Sequence, residues 1–175
     1  MADPQPPLTP PRRDAVDPGN EFRTVLGRFA TGVSVMTTVV DAVPHGMTAN
    51  AVSSVSLEPK LVLVCVERGA VMAERVRDAA AFALTFLAAD QAALSAWFAD
   101  PGRPDTDQFA DVGHTTAVTG APVLDGGVGW VDCRLAAVHV AGDHDIVVGE
   151  VVDLGVGPAG DPLLYYASDY RRLQG

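Results

Sequence analysis

The chain has 175 residues, 48% of them hydrophobic and 19% charged, with a formal net charge of −10 at pH 7. That size and apolar content suit one globular domain, and a single lysine, Lys60, argues against nucleic acid or an anionic membrane as partner, since both demand a basic footprint. No apolar run is long enough to cross a bilayer or to serve as a signal peptide, so a soluble cytoplasmic protein is expected.

Residues 1–19 hold six of the thirteen prolines and are expected to form a disordered tail, leaving 20–175 as the folded domain. Asn20 is placed to cap a helix in which Phe22, Val25, Leu26, Phe29 and Ala30 recur at helical spacing, with Gly32 as its stop. The β-branched run Val33 to Val40 predicts a strand, a turn follows over Asp41 to His45, and a second extended run starts near Gly46. Leu61 to Val66 and Phe82 to Leu87 are apolar runs of strand length, separated by an amphipathic stretch, Ala70 to Asp78, that puts Met72 and Val76 on one face. Asp90 is read as the cap of a helix, DQAALSAWFA, that Pro101 terminates. The loop Asp100 to Asp111 is expected to be mobile. From Val128 onward the chain is almost all strand-like: GWVDCRLAAVHV, a turn over Gly142 to Asp145, IVVGEVVDLGV and LLYY. In the first of these, Val131, Cys133, Leu135 and Ala137 alternate against Asp132 and Arg134, the period of a half-buried antiparallel strand. The pattern is mainly β with inserted helices, and it predicts a closed or split antiparallel barrel rather than βαβ layers.

Several motifs fail on context. Gly155, Gly157 and Gly160 spell G-x-G-x-x-G, but Asp161 and Pro162 lead into a strand where a dinucleotide loop needs a helix. The cluster Asp143, His144, Asp145 sits on one tight turn, with no second cluster to complete a metal site. His45, His114 and His139 are scattered, no serine stands in G-x-S-x-G, and Cys65 and Cys133 lie in apolar runs as buried thiols. What remains is GMTANAVSSVSLEP, residues 46–59, a row of hydroxyls around Asn50 whose sole charge is Glu58.

That stretch, together with FRTVLGRFATGVSVMTT, LVLVCV, AADQAALSAWFA, GAPVL, DCRL and AGDHDIVVGEVV, resembles the flavin reductase-like family of FMN-binding split barrels. The likeness runs from about Phe22 to Leu173 and is strongest to reductase components of two-component flavin-dependent monooxygenases. It implies a split antiparallel β-barrel of Greek-key type. It also implies that Thr48, Ala49, Asn50, Ala51, Ser53, Ser54, Val55 and Ser56 line the flavin ring and reach its ribityl and phosphate, bordered by Val33, Ser34, Met36 and Val66. A flavin carries its own redox chemistry, so a lining of hydroxyl and N–H donors suffices to hold it. Two positions depart from the family pattern. Glu67, Arg68, Gly69 and Ala70 replace a loop often rich in lysine or serine, which assigns phosphate contact to Arg68, and Thr85 stands where many members have asparagine.

The resemblance further implies a hydride donor, NADH or NADPH, and FMN or FAD as the acceptor, passed on to a separate oxygenase. His144 is the expected catalytic residue, positioning the nicotinamide with support from Asp143, while Tyr166 and Tyr170 close over the site. A homodimer with the flavin near the subunit boundary is implied as well. Two other readings use the same opening motif: a flavin-binding protein without turnover, and a flavin-dependent tailoring oxidoreductase acting on a small aromatic substrate.

Overall fold

Helix α1 spans Pro18–Leu26 in the computed structural model, which describes residues 18–173. The expected tail lies outside the described residues as far as residue 17. Pro18 already lies in the helix, so Asn20 falls within it and not at the cap position expected. The helix also stops at Leu26, short of Ala30, and Phe22, Val25, Leu26 and Phe29 are all at least half exposed.

Strand β1 (Thr31–Gly32) and strand β2 (Ser34–Val40) flank Val33, whose own N–H and carbonyl bond Leu163 and Leu87. The first hairpin closes tighter than expected. Asp41 and Ala42 both take positive φ, 51° and 62°, as a two-residue hairpin turn requires, and strand β3 therefore starts at Val43 and runs to Ala49. Strands β4 (Val52–Leu57) and β5 (Lys60–Glu67) form the next hairpin, followed by helix α2 (Val71–Ala79), which buries Met72 and Val76 as their spacing predicts. Strand β6 (Ala81–Phe86) leads to helix α3 (Ala92–Ala99). Gln91, not Asp90, precedes the first turn of α3, because the Gln91 side chain turns back to accept from Ala88 N at 2.9 Å and donate to Asp125 O at 2.8 Å. Short strands β7 (His114–Thr116) and β8 (Pro122–Leu124) come before the long hairpin of β9 (Gly129–Ala141) and β10 (His144–Val156). Strands β11 (Leu164–Tyr166) and β12 (Asp169–Arg171) end the described chain.

Seven strands make one antiparallel sheet in the order β3-β2-β6-β9-β10-β5-β4, and β1, β11 and β12 form a second of three. The edge strands β3 and β4 are consecutive in the chain, joined only by Asn50 and Ala51. The large sheet therefore curls so that the end of β3 meets the start of β4, and Cys65 N donates to Ala51 O where the β4–β5 ladder begins. Inside the curl lies one core cluster, which includes Met36, Val64, Val66, Phe82, Leu84 and Val147, and Met72 and Val76 of α2 complete it. A second cluster, including Val33, Val35, Leu87, Phe98, Phe109 and Leu163, fills the space beneath α3.

Alternation fails on β9 at one residue. Asp132 is fully buried, because the segment leading into β8 covers it and the Thr119 amide and hydroxyl both donate to its carboxylate. At Gly46 the packing is so close that an added Cβ would lie 2.4 Å from the Phe98 ring, so only glycine lets α3 seat on β3.

Candidate functional site

Three hollows follow one another along β3 and the join between the sheet edges. The first, about 490 Å³, has apolar walls from Phe29, Val33, Phe86, Val128 and Pro162, with Thr31, Ser34 and Asn50 supplying polar atoms. Val33 and Asn50 are shared with a second of about 300 Å³, where Thr48, Ser95, Tyr165 and Tyr170 contribute polar groups. Met47, Phe98 and Ala99 then lead into a third of about 450 Å³, which reaches His45, Arg103 and the first residues of α2.

Of the residues expected from the sequence, Val33, Ser34, Thr48, Asn50 and Tyr170 line the first two hollows. Met36, Ala49 and Val66 turn into the core and back the strands that carry them. Thr85 is 1% exposed, and its hydroxyl accepts from Leu124 N at 3.0 Å. Ala51, Ser53, Ser54, Val55 and Ser56 run along the open edge of the sheet, most of them exposed. Arg68 lies 3.8 Å from the buried carboxylate of Asp145. His144 sits at the hairpin turn, with its Nδ1 2.8 Å from Asp143 Oδ1. It is opposite Glu67 in register, and Glu67 lines the third hollow. Tyr166 accepts from Arg28 Nη1 at 3.3 Å on the exposed side of β11.

The polarity of the hydroxyls differs from the donor lining expected. Thr48 Oγ1 donates to Ser95 O at 2.6 Å, Ser34 Oγ donates to Ala49 O at 2.7 Å, and Ser53 Oγ donates to Ser54 O at 3.1 Å. A hydroxyl has one hydrogen, so each of these presents only lone pairs to a ligand. Asn50 Nδ2 donates to Thr31 Oγ1 at 3.3 Å, which ties the join to β1.

Sequence reasoning passed over the third hollow. His45 is 5% exposed, and Gln108 Nε2 donates to its Nδ1 at 3.1 Å while Gln108 Oε1 accepts from Gly46 N at 3.2 Å. Because the Gly46 amide fixes which way Gln108 points, the imidazole keeps its proton on Nε2 and is neutral. Burial first, then the Arg103 and Arg75 charges, lower its pKa from 6.5 to about 4 against the opposing pull of Asp105. Arg103 donates to Gly46 O at 2.6 Å and Trp97 O at 2.9 Å, and it stacks over Phe98. Burial lowers its pKa. Through Arg103 and Gln108, the loop expected to be mobile is anchored on the free edge of β3. The signal for His45 was its place two residues before Met47 on the same strand, but Gln108 lies 63 residues away and nothing local announces the pairing.

Helix α2 begins without a side-chain cap: Ala70 holds the N-cap position, and Ala70, Val71 and Met72 all line the third hollow. Amides at an uncapped helix start attract anions. Apolar walls, uncharged polar groups and main-chain N–H donors in sequence suit a planar neutral ring with a phosphorylated tail.

A mainly antiparallel β protein with such a groove is built to hold a planar cofactor by its faces and edges. The chain belongs to the flavin reductase like domain family, which matches residues 26–174. It is 37% identical over 161 residues to reductase subunit HsaB of a flavin-dependent monooxygenase from Rhodococcus jostii, covering 92% of this chain and 80% of the relative. To the FMN reductase (NADH) SmoA of Agrobacterium fabrum it is 39% identical over 167 residues, with 93% of each covered. Among solved structures, the NADH:FAD oxidoreductase SgcE6 of Streptomyces globisporus superposes with a TM-score of 0.86 at 38% identity, over 94% of this chain and all of the other.

Proposed function

We propose that the protein is an NAD(P)H:flavin oxidoreductase that reduces FMN or FAD and releases the reduced flavin to a separate flavin-dependent monooxygenase. The observation that carries this reading is the run of three hollows at the join of the sheet edges, in a chain of the flavin reductase family. When bound, the flavin supplies the redox chemistry, taking hydride from the nicotinamide. The chain's residues bind, orient and shield it. Apolar walls around Val33 and Phe86 hold the ring faces, Ser34, Thr48 and Asn50 meet its polar edge, and the start of α2, with Arg68 beside it, faces the phosphate. His144 and Asp143 position the nicotinamide from the rim of the third hollow. Tyr170 closes the second hollow with Tyr165, while Tyr166, on the other face of β11, does not reach it.

The curled sheet is read as a split barrel of Greek-key type, its split lying between β3 and β4. A homodimer completes the site: Phe29 is 74% exposed yet forms part of the first hollow, so a second copy covering α1 would also close the groove. The serines of β4 then face the cofactor at the subunit boundary. The SmoA and SgcE6 relatives are named for NADH, which favours NADH over NADPH here. Among the described residues no helix is long and apolar enough to cross a membrane. Free Cys65 and Cys133 agree with a reducing, cytoplasmic setting, and burial followed by the Asp132 charge pushes the Cys133 thiol up to about 12.

The direct test follows loss of the reduced-nicotinamide absorbance when protein, NADH and FMN or FAD are mixed. Flavin-dependent loss is expected. A protein that binds flavin but leaves NADH unconsumed would be a carrier, and the reductase reading would fall. Sedimentation at micromolar concentration should show a dimer; a flavin-binding monomer would refute the shared site.

A further inference from the structure

Ser95 stands at the centre of a contact set that no local pattern required. It is fully buried on α3; its carbonyl accepts the Thr48 hydroxyl at 2.6 Å, and its own hydroxyl lies 2.8 Å from Tyr170 OH. Tyr170 in turn packs edge-on against Tyr165, with ring centroids 5.8 Å apart. One serine thus ties the strand bearing Thr48, helix α3 and the terminal hairpin into a single wall of the 300 Å³ hollow.

The consequence is a fixed polarity. Ser95 and Tyr170 bring two hydroxyl hydrogens to one bond in which either can be the donor, so one hydrogen stays free, and Asn50 offers both an acceptor and a donor. Thr48 has no such freedom, because its only hydrogen is directed at Ser95 O. A half-buried acceptor gains a partner only from a ligand that brings a hydrogen. The oxidised isoalloxazine ring carries a single N–H, at the imide nitrogen N3. The ribityl hydroxyls rotate and discriminate nothing.

We propose that Thr48, oriented by the positioning residue Ser95, is the acceptor for the flavin imide N–H and makes the groove selective for flavins unsubstituted at that nitrogen. This rests on the flavin reading above. The experiment measures fluorescence-detected affinity for FMN and for N3-methyl-FMN in the wild type, Thr48→Val and Thr48→Ser. The wild type should prefer FMN. Thr48→Val should lose about three- to tenfold of that preference, the factor carried by one neutral hydrogen bond, and Thr48→Ser should retain it. An undiminished preference in folded Thr48→Val overturns the assignment while leaving flavin binding intact. Failure of the wild type to bind FMN at all overturns the flavin reading itself, and this inference with it. Should Thr48→Val not fold, nitrogen-15 NMR of N3-labelled FMN on the wild type decides: an imide proton protected from solvent exchange supports the bond, and one exchanging as in free FMN overturns it.

Discussion

Replacing Gly46 with alanine tests how the site is held together. The added Cβ would lie 2.4 and 2.6 Å from two carbons of the Phe98 ring, distances that no real Cβ contact sustains. Phe98 is 1% exposed, packed among Phe109, Leu87 and Val35, and covered by the Arg103 guanidinium at 5.2 Å, so the ring can retreat only by giving up that packing and intruding on the hollows it lines. Either α3 lifts from β3 or β3 bends away from α3, and both moves strain the Gly46 bonds to Gln108 and Arg103. Overpacking of this kind costs about 1 to 3 kcal/mol. For a domain of this length the melting temperature should fall by about 2 to 12 °C. Thermal unfolding by circular dichroism measures it, with Gly160→Ala as control, since nothing lies within 4 Å of a Cβ there. Because α3 also carries Ser95, Gly46→Ala should weaken flavin binding in the same experiment. A melting temperature within about 1 °C of the wild type would mean that α3 is not seated as described.

Two further outcomes follow from the histidines. His45 has its folded pKa lowered to about 4 from 6.5, so the unfolded chain takes up a proton first as pH falls. Its stabilising effect is complete above pH 6.5 and is lost progressively down to pH 4, by about 3 kcal/mol in all. Urea titrations at pH 6 and pH 5 should show the wild type losing about 1 kcal/mol more than His45→Asn; parallel losses in both proteins would rule out a neutral buried imidazole. His144→Ala should raise the apparent KM for NADH by about three- to tenfold with a smaller change in kcat. An unaltered KM would remove His144 from the nicotinamide site.

Local chemistry in the chain was enough to place most elements. Met72 and Val76 share a helix face because they are four residues apart, Pro101 ends α3 because it cannot continue a helix, and the β-branched run before Asp41 is extended because its side chains crowd a helix. One departure fell where a nearby residue competed for a role: the back-turned Gln91 displaced Asp90 at the start of α3. The row of hydroxyls at 46–59 stood out in the sequence because so little charge accompanies it.

What those hydroxyls do was decided only by the fold. Thr48 is an acceptor because Ser95, 47 residues later, takes its hydrogen; Asp132 is buried because Thr119 folds over it; His45 is neutral because Gln108, 63 residues on, fixes its tautomer. A hydrogen bond's direction depends on which group arrives opposite. That arrival is set by the curling of the sheet, which brings distant segments together without leaving a periodic trace in the sequence.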